Sequence, residues 1–189
     1  YVETLPLDPM YRLCFDDREI EVSSNPVKMK EQLRAVFGDD GEGLDRFLKQ
    51  EEDRFKKLYS YIQRDYTHIS ALFEPGIFKV LPYLSATRSV FQNLGRYFRD
   101  QKMRMVFSFQ SKYLGMSPWE CPALFTILPW VEHKYGIYHV KGGLHRITRA
   151  MADVMLEQGG VIRTGTEVKS LDIQGRDVKG VILAKGEHI

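Results

Sequence analysis

Residues Tyr135 to Leu171 read YGIYHVKGGLHRITRAMADVMLEQGGVIRTGTEVKSL. An extended apolar segment comes first, then the pair Gly142-Gly143. Leu144, Ile147, Met151, Val154 and Met155 then recur at helical spacing on one face. Gly159-Gly160 closes that helix, and the β-branched run Val161-Ile162-Arg163 comes next, then Glu167 to Ile173. The order predicts a chain that leaves a strand through a glycine turn, enters an amphipathic helix and returns to a sheet. Its length suits one strand–helix–strand crossover, roughly 30 residues. Such a unit commonly forms one wall of a cofactor site.

Composition bounds what surrounds this unit. The chain has 189 residues, 43% hydrophobic and 28% charged, the balance of a folded domain and not of a disordered segment. A net charge of +2 gives no field for nucleic acid, and no nucleic-acid partner is expected. Eleven Phe and ten Tyr suit an ordinary core or the lining of a large apolar cavity. Cys14 and Cys121 make no disulfide framework, which points to a reducing, cytoplasmic setting. No apolar run approaches the ~20 residues of a membrane span, and the first residues lack the features of a signal peptide. With Tyr1 at its start and a strand close to its end, the chain is expected to be an internal piece of a longer protein.

Upstream of Tyr135 the pattern is mostly helical. Thr4 to Phe15 and Arg18 to Val22 look extended, with Asp16-Asp17 as a turn. Asn25-Pro26 supplies an N-cap and first-turn proline to a helix carrying Met29, Leu33, Val36 and Phe37, ended by Gly38. A long helix comes next, on the stripe Leu44, Phe47, Leu48, Phe55, Leu58, Tyr59, Ile62 and Tyr66. Lys49, Glu52, Arg54 and Lys57 are assigned to its other faces. Pro75-Gly76 and Pro82 are expected to break the chain. Helices are predicted over Thr87–Phe98 and Lys102–Leu114, with Asp100 capping the second and Gly115 ending it. Ser117-Pro118-Trp119-Glu120 fits a capping box, and Pro122 and Pro129 keep the residues up to Lys134 in short or kinked pieces. Near the end, Gly175-Arg176-Asp177 turns a hairpin between Glu167–Ile173 and Val178–Leu183.

Little catalytic chemistry shows. No Gly-x-Ser-x-Gly elbow occurs, and the five histidines fall in no metal-ligand spacing, so no metal site is expected. Gly41-Glu42-Gly43-Leu44-Asp45-Arg46 begins a dinucleotide fingerprint but ends in Arg46 and comes after an acidic loop, which excludes it. Gly142-Gly143 is better placed, before a helix, yet lacks the full spacing. It serves either an anion at the helix start or simply a sharp turn with close packing. From Arg88 to Lys112, six basic residues alternate with apolar and aromatic ones. That pattern fits an interfacial membrane surface, or, as is commoner, core-facing helices with solvated outer faces.

Three stretches resemble the phytoene desaturase-like group of FAD-dependent oxidoreductases, within the flavin amine oxidase superfamily. FSFQSKYLGMSPWECPALFTIL, from Phe107, resembles that group's segment around Tyr-x-Gly-x-Ser-Pro. YGIYHVKGGLHRITRAM, from Tyr135, resembles its Gly-Gly turn into a helix. EQGGVIRTGTEVKSL, from Glu157, resembles its Gly-Gly, strand and Glu-Val passage. The opening LPLDPMYRLCFDD resembles early substrate-domain strands.

The resemblance implies an α+β architecture. Residues 1–134 would form a helix-rich substrate-binding domain with a small mixed or antiparallel sheet. Residues 135–189 would form part of an FAD-binding α/β domain, its return crossover and β-hairpin. It implies FAD as cofactor, in a site this segment completes only in part. Val168 would present backbone atoms to the adenine, while Gly142 and Gly143 would stand where the chain passes between substrate cavity and flavin. It names no catalytic residue. The substrate implied is a long apolar isoprenoid losing a hydride to flavin, and the basic stretch 88–112 gains a role in peripheral membrane contact. A carotenoid isomerase or isoprenoid saturase of the same superfamily, or a non-enzymatic apolar-ligand module, are the rival expectations.

Overall fold

Phe47 sits fully buried among three other rings, those of Tyr97, Phe98 and Phe107, at centroid distances of 5.5, 5.8 and 5.3 Å. Phe98 and Phe107 stack on one another, 5.0 Å apart and 15° from parallel. Around this cluster the computed structural model describes residues 1–64, 67–68, 75–85 and 87–189. The chain divides into two compact units, one of Leu5–His139 and one of Tyr1–Thr4 with Val140–Ile189.

The larger unit starts with short strands. Strand β1 (Thr4–Pro6) pairs with β4 (Tyr138–Val140), and β2 (Tyr11–Cys14) pairs antiparallel with β3 (Glu19–Val22) across the Asp16-Asp17 turn. Helix α1 (Pro26–Phe37) is capped as expected: the Asn25 side chain accepts from the amides of Val27 and Lys28. Its Met29 and Leu33 reach the core, and Gly38, at φ +60°, ends it.

Helix α2 (Gly43–Ile62) is the central element, and it starts where a side chain would not fit. A Cβ on Gly43 would lie 2.3 Å from the Tyr97 carbonyl oxygen, and one on Gly41 would lie 3.1 Å from Leu33 Cβ. The glycines of the excluded Gly41–Arg46 motif thus serve close packing. The face that α2 buries is Leu44, Phe47, Glu51, Arg54 and Leu58. Arg54 therefore lies in the core and not on an outer face as the sequence suggested, and its partners explain why. Tyr66 of the expected stripe lies outside the described residues.

Helix α3 (Pro75–Leu84) forms where breaks were expected. Proline is tolerated at a first position, where the amide would go unused, and Pro82 comes only two residues before the end. The next two predicted helices are shorter than the periodicity indicated. Helix α4 (Val90–Leu94) stops at Gly95, and α5 (Gln101–Val106) is separated by Phe107-Ser108 from a 3-10 turn, Phe109–Leu114. Packing decides this: Phe98 and Phe107 must both turn inward onto Phe47, and a continuous helix would not bring both there. Asp100 caps α5 as expected, and Gly115 ends the 3-10 turn at φ +67°.

The capping box lies elsewhere than predicted. Ser89 and Gln92 form it at α4, each side chain bonding the other's backbone. Ser117–Glu120 is only a turn, its Ser117 carbonyl accepting from Glu120 and Cys121. A 3-10 turn (Ala123–Thr126) and α6 (Ile127–Tyr135), both short, complete this unit.

In the smaller unit, α7 (His145–Glu157) comes after the glycine turn, and β5 (Val168–Gln174) pairs antiparallel with β6 (Asp177–Leu183) through Gly175-Arg176. Glu187–Ile189 folds back along β6, with Val181 and Ile189 exchanging backbone hydrogen bonds of 2.7 and 3.0 Å. Val161-Ile162-Arg163 is not a strand. Val161 is 76% exposed, and nothing among the described residues pairs with it to form a ladder. Nor do β4 and β5 share a sheet among the described residues, so the expected crossover has its elements in order without a common sheet. The fold is mixed, helices with two-stranded antiparallel pairs, in keeping with the α+β expectation.

Candidate functional site

Gly142 and Gly143 take φ of +83° and +97°, the left-handed region that favours glycine. The amide of Gly143 donates to the carbonyl of Val140 at 2.8 Å, which closes the turn out of β4. Helix α7 then begins at His145, its N-cap Leu144 offering no side-chain cap. Lys141 pairs with Glu3. The turn is thus a backbone device first: both positions need a residue without a Cβ, whatever passes over them.

Val168 opens β5 opposite Leu183, half-exposed, with a register shift before Ser170. β5 has β6 on one side and no strand on the other among the described residues. All three expected cofactor residues belong to the smaller unit. Among the described residues no group of three or more His, Cys, Asp or Glu is arranged to hold a metal ion.

The larger unit buries chemistry that sequence reading missed. Arg54 and Glu51 form an ion pair at 3.1 Å, with side chains 4% and 0% exposed. The Arg54 guanidinium also donates to Ala123 O (3.0 Å), Thr126 Oγ1 (2.7 Å) and Ser85 Oγ (3.2 Å). Burial outweighs the attraction of Arg54 and pushes the Glu51 carboxyl up to about 7. Its Oε1 has no partner, nor has Asn93 Oδ1. The signal lay in the spacing. Positions 44, 47, 51, 54 and 58 alternate steps of three and four, so the two charges fall on the buried stripe.

Glu132 is the second centre. Its carboxylate accepts from Tyr11 Oη (3.1 Å), Gln110 Nε2 (2.8 Å) and Tyr113 Oη (3.0 Å), joining β2, the Phe109–Leu114 turn and α6. Burial and the nearby carboxylate raise both phenols, Tyr113 to about 12. The third is His133 on α6, beside the Phe107 ring. Its Nδ1 lies 3.2 Å from Ser23 O, so Nδ1 carries the proton, and Nε2 is buried without a partner. Burial lowers its pKa to about 4.

These groups hold helices together, and none of them is a nucleophile or metal centre. The family model for flavin containing amine oxidoreductases matches residues 5–189. The chain belongs to that family. Among relatives, the 4,4'-diapophytoene desaturase (4,4'-diapolycopene-forming) of Methylomonas sp is 52% identical over 189 residues, all of this chain and 37% of that protein. The phytoene desaturase of Fusarium fujikuroi is 32% identical over 195 residues, all of this chain and 34% of its own length. The 4,4'-diapolycopen-4-al dehydrogenase of Metabacillus indicus is 26% identical over 99% of this chain and 38% of its own. The chain thus spans little more than a third of the length of these family members. The names of these relatives are those of two desaturases and a dehydrogenase, and the flavin is named by the family description.

Proposed function

We infer that this chain is the middle segment of an FAD-dependent oxidoreductase that desaturates a long isoprenoid or carotenoid-type hydrocarbon. The observation that carries the reading is the 52% identity across the whole chain to a diapophytoene desaturase. A bound flavin supplies the hydride acceptor. The chain's own part is positional. Val168 would meet the adenine through its backbone, Gly142 and Gly143 would let the chain pass close to the cofactor, and residues 1–134 would bind the hydrocarbon. Such a substrate offers no group for a side-chain acid or base, in line with the buried charges being used between helices. The segment alone, lacking most of the cofactor contacts, would be inactive.

The test is anaerobic incubation of the full-length flavoprotein with diapophytoene. The expected result is bleaching of oxidised flavin absorbance with a matching gain of conjugated polyene absorbance. Flavin that stays oxidised with every isoprenoid hydrocarbon offered would overturn the reading. Bleaching by a polyene aldehyde alone would move the activity toward that of the Metabacillus relative.

We further propose a cytoplasmic setting with a peripheral membrane contact through residues 88–112. The contact would be electrostatic, since Val90, Phe91, Leu94, Tyr97, Phe98, Met103, Val106 and Phe107 are all buried. Arg88, Arg96, Arg99 and Lys112 are the exposed cations that could carry it.

A further inference from the structure

Helix α2 runs antiparallel along α3 and Ser85, the residue just after it. Arg54 donates to Ser85 Oγ at 3.2 Å. Lys57 Nζ donates to Tyr83 Oη at 2.7 Å and sits 4.3 Å from that ring's centre. The Tyr61 hydroxyl lies where a Cβ on Gly76 would be only 2.6 Å away, so the helices close up at this end through a glycine. Arg54, Lys57 and Tyr61 succeed one another at steps of three and four, one stripe of α2. Beside that stripe lies a cleft of about 260 Å³, lined by Leu58, Ile62, Ile77, Val80, Leu84 and Leu124 with the ring of Tyr61.

Two features of this cleft restrict its occupant. Six of its seven lining side chains are pure hydrocarbon, so a ligand part carrying a charge or an unmet donor would lose its hydration there without compensation. Its volume falls below the roughly 300–1,000 Å³ of pockets that enclose a whole ligand. It suits the end of a longer molecule. The Arg54–Ser85 and Lys57–Tyr83 hydrogen bonds border it on one side.

We propose that the α2–α3 cleft is a subsite for the terminal hydrocarbon segment of the isoprenoid substrate, a proposal that rests on the desaturase reading. Interactions there are the same in the ground and transition states, because the reacting carbon lies elsewhere on the chain. Their loss raises KM and leaves kcat unchanged.

The experiment uses the full-length flavoprotein with two variants and the apolar fluorescent polyene diphenylhexatriene as probe. Ile62→Glu puts a charge at the lip, on a residue already 53% exposed, so folding is not at stake. Ile77→Trp fills the cleft with an apolar group. Both are expected to weaken probe binding at least about fivefold and to raise KM for diapophytoene by a similar factor. Flavin content and kcat should match the parent protein. Unchanged probe affinity in both variants, or no saturable binding to the parent because another segment or a second copy covers the cleft, would overturn the proposal. If flavin reduction proceeds normally in that case, the desaturase reading stands without this subsite. If the variants lose the probe but no isoprenoid reduces the parent's flavin, the cleft stands and the desaturase reading falls.

Discussion

Two buried residues of the larger unit pull its pH response in opposite directions. Glu51, raised to about 7 from 4.5, holds its proton more tightly in the folded state. Its contribution to stability is complete below pH 4.5 and is lost as pH rises through 7. His133, lowered to about 4 from 6.5, resists protonation when folded. Its contribution is complete above pH 6.5 and is lost as pH falls through 4. Each amounts to something on the order of 3 kcal/mol, and between pH 4.5 and 6.5 the two slopes oppose. We predict a nearly flat denaturant-unfolding stability across that interval. Glu51→Gln should expose the acid-side loss from His133, and His133→Phe the alkaline-side loss from Glu51. A Glu51→Gln profile as flat as the parent's would show that His133 is not held neutral by the fold. Neither residue announced itself in the sequence as titrating. A glutamate and a histidine on helix faces look alike in and out of the core until their packing is known.

Elements were more legible where a local group decides them. Asn25 and Asp100 cap α1 and α5 as their side-chain chemistry predicts, because an Asx oxygen satisfies amides two and three residues on, whatever the surroundings. Asn25→Ala should therefore cost about 1 kcal/mol of unfolding free energy. Urea melts showing no loss would mean that Pro26 alone sets the helix start. The segment from Val90 to Leu114 resisted reading because its apolar spacing is helical while its large rings must converge on Phe47. Tertiary packing then splits one periodic pattern into short pieces. Val161–Arg163 failed for the opposite reason: β-branched residues favour a strand, but a strand needs a neighbour to bond to. Of the candidate cofactor residues, Gly142 and Gly143 stood out by their place before a helix, whereas Val168 was legible only through resemblance. The role proposed for Val168 is one of backbone, and backbone roles leave little trace in side-chain type.

At the scale of the whole molecule, charge is distributed so that one surface function can be isolated from folding. Arg104 is half-buried and donates to the carbonyls of Phe98 and Arg99, and Lys102 pairs with Asp16 and Asp17. Reversing those two would disturb packing as well as charge. Arg96 and Arg99 are exposed. The double variant Arg96→Glu/Arg99→Glu should lower flotation of the full-length protein with anionic liposomes several-fold at low salt, with unchanged thermal unfolding. Parent protein that stays unbound at low salt would remove the membrane contact from the account.

The return of Glu187–Ile189 along β6 has a consequence for assembly. Backbone pairing gives β6 a neighbour on each side, while among the described residues β5 has none on its other margin, and its Leu171 and Ile173 are both more than half-exposed. A strand in that condition is a template for another chain, and Lys169 and Asp172 are the charges within it that oppose recruitment. Self-association through this margin would be hastened by neutralising Lys169.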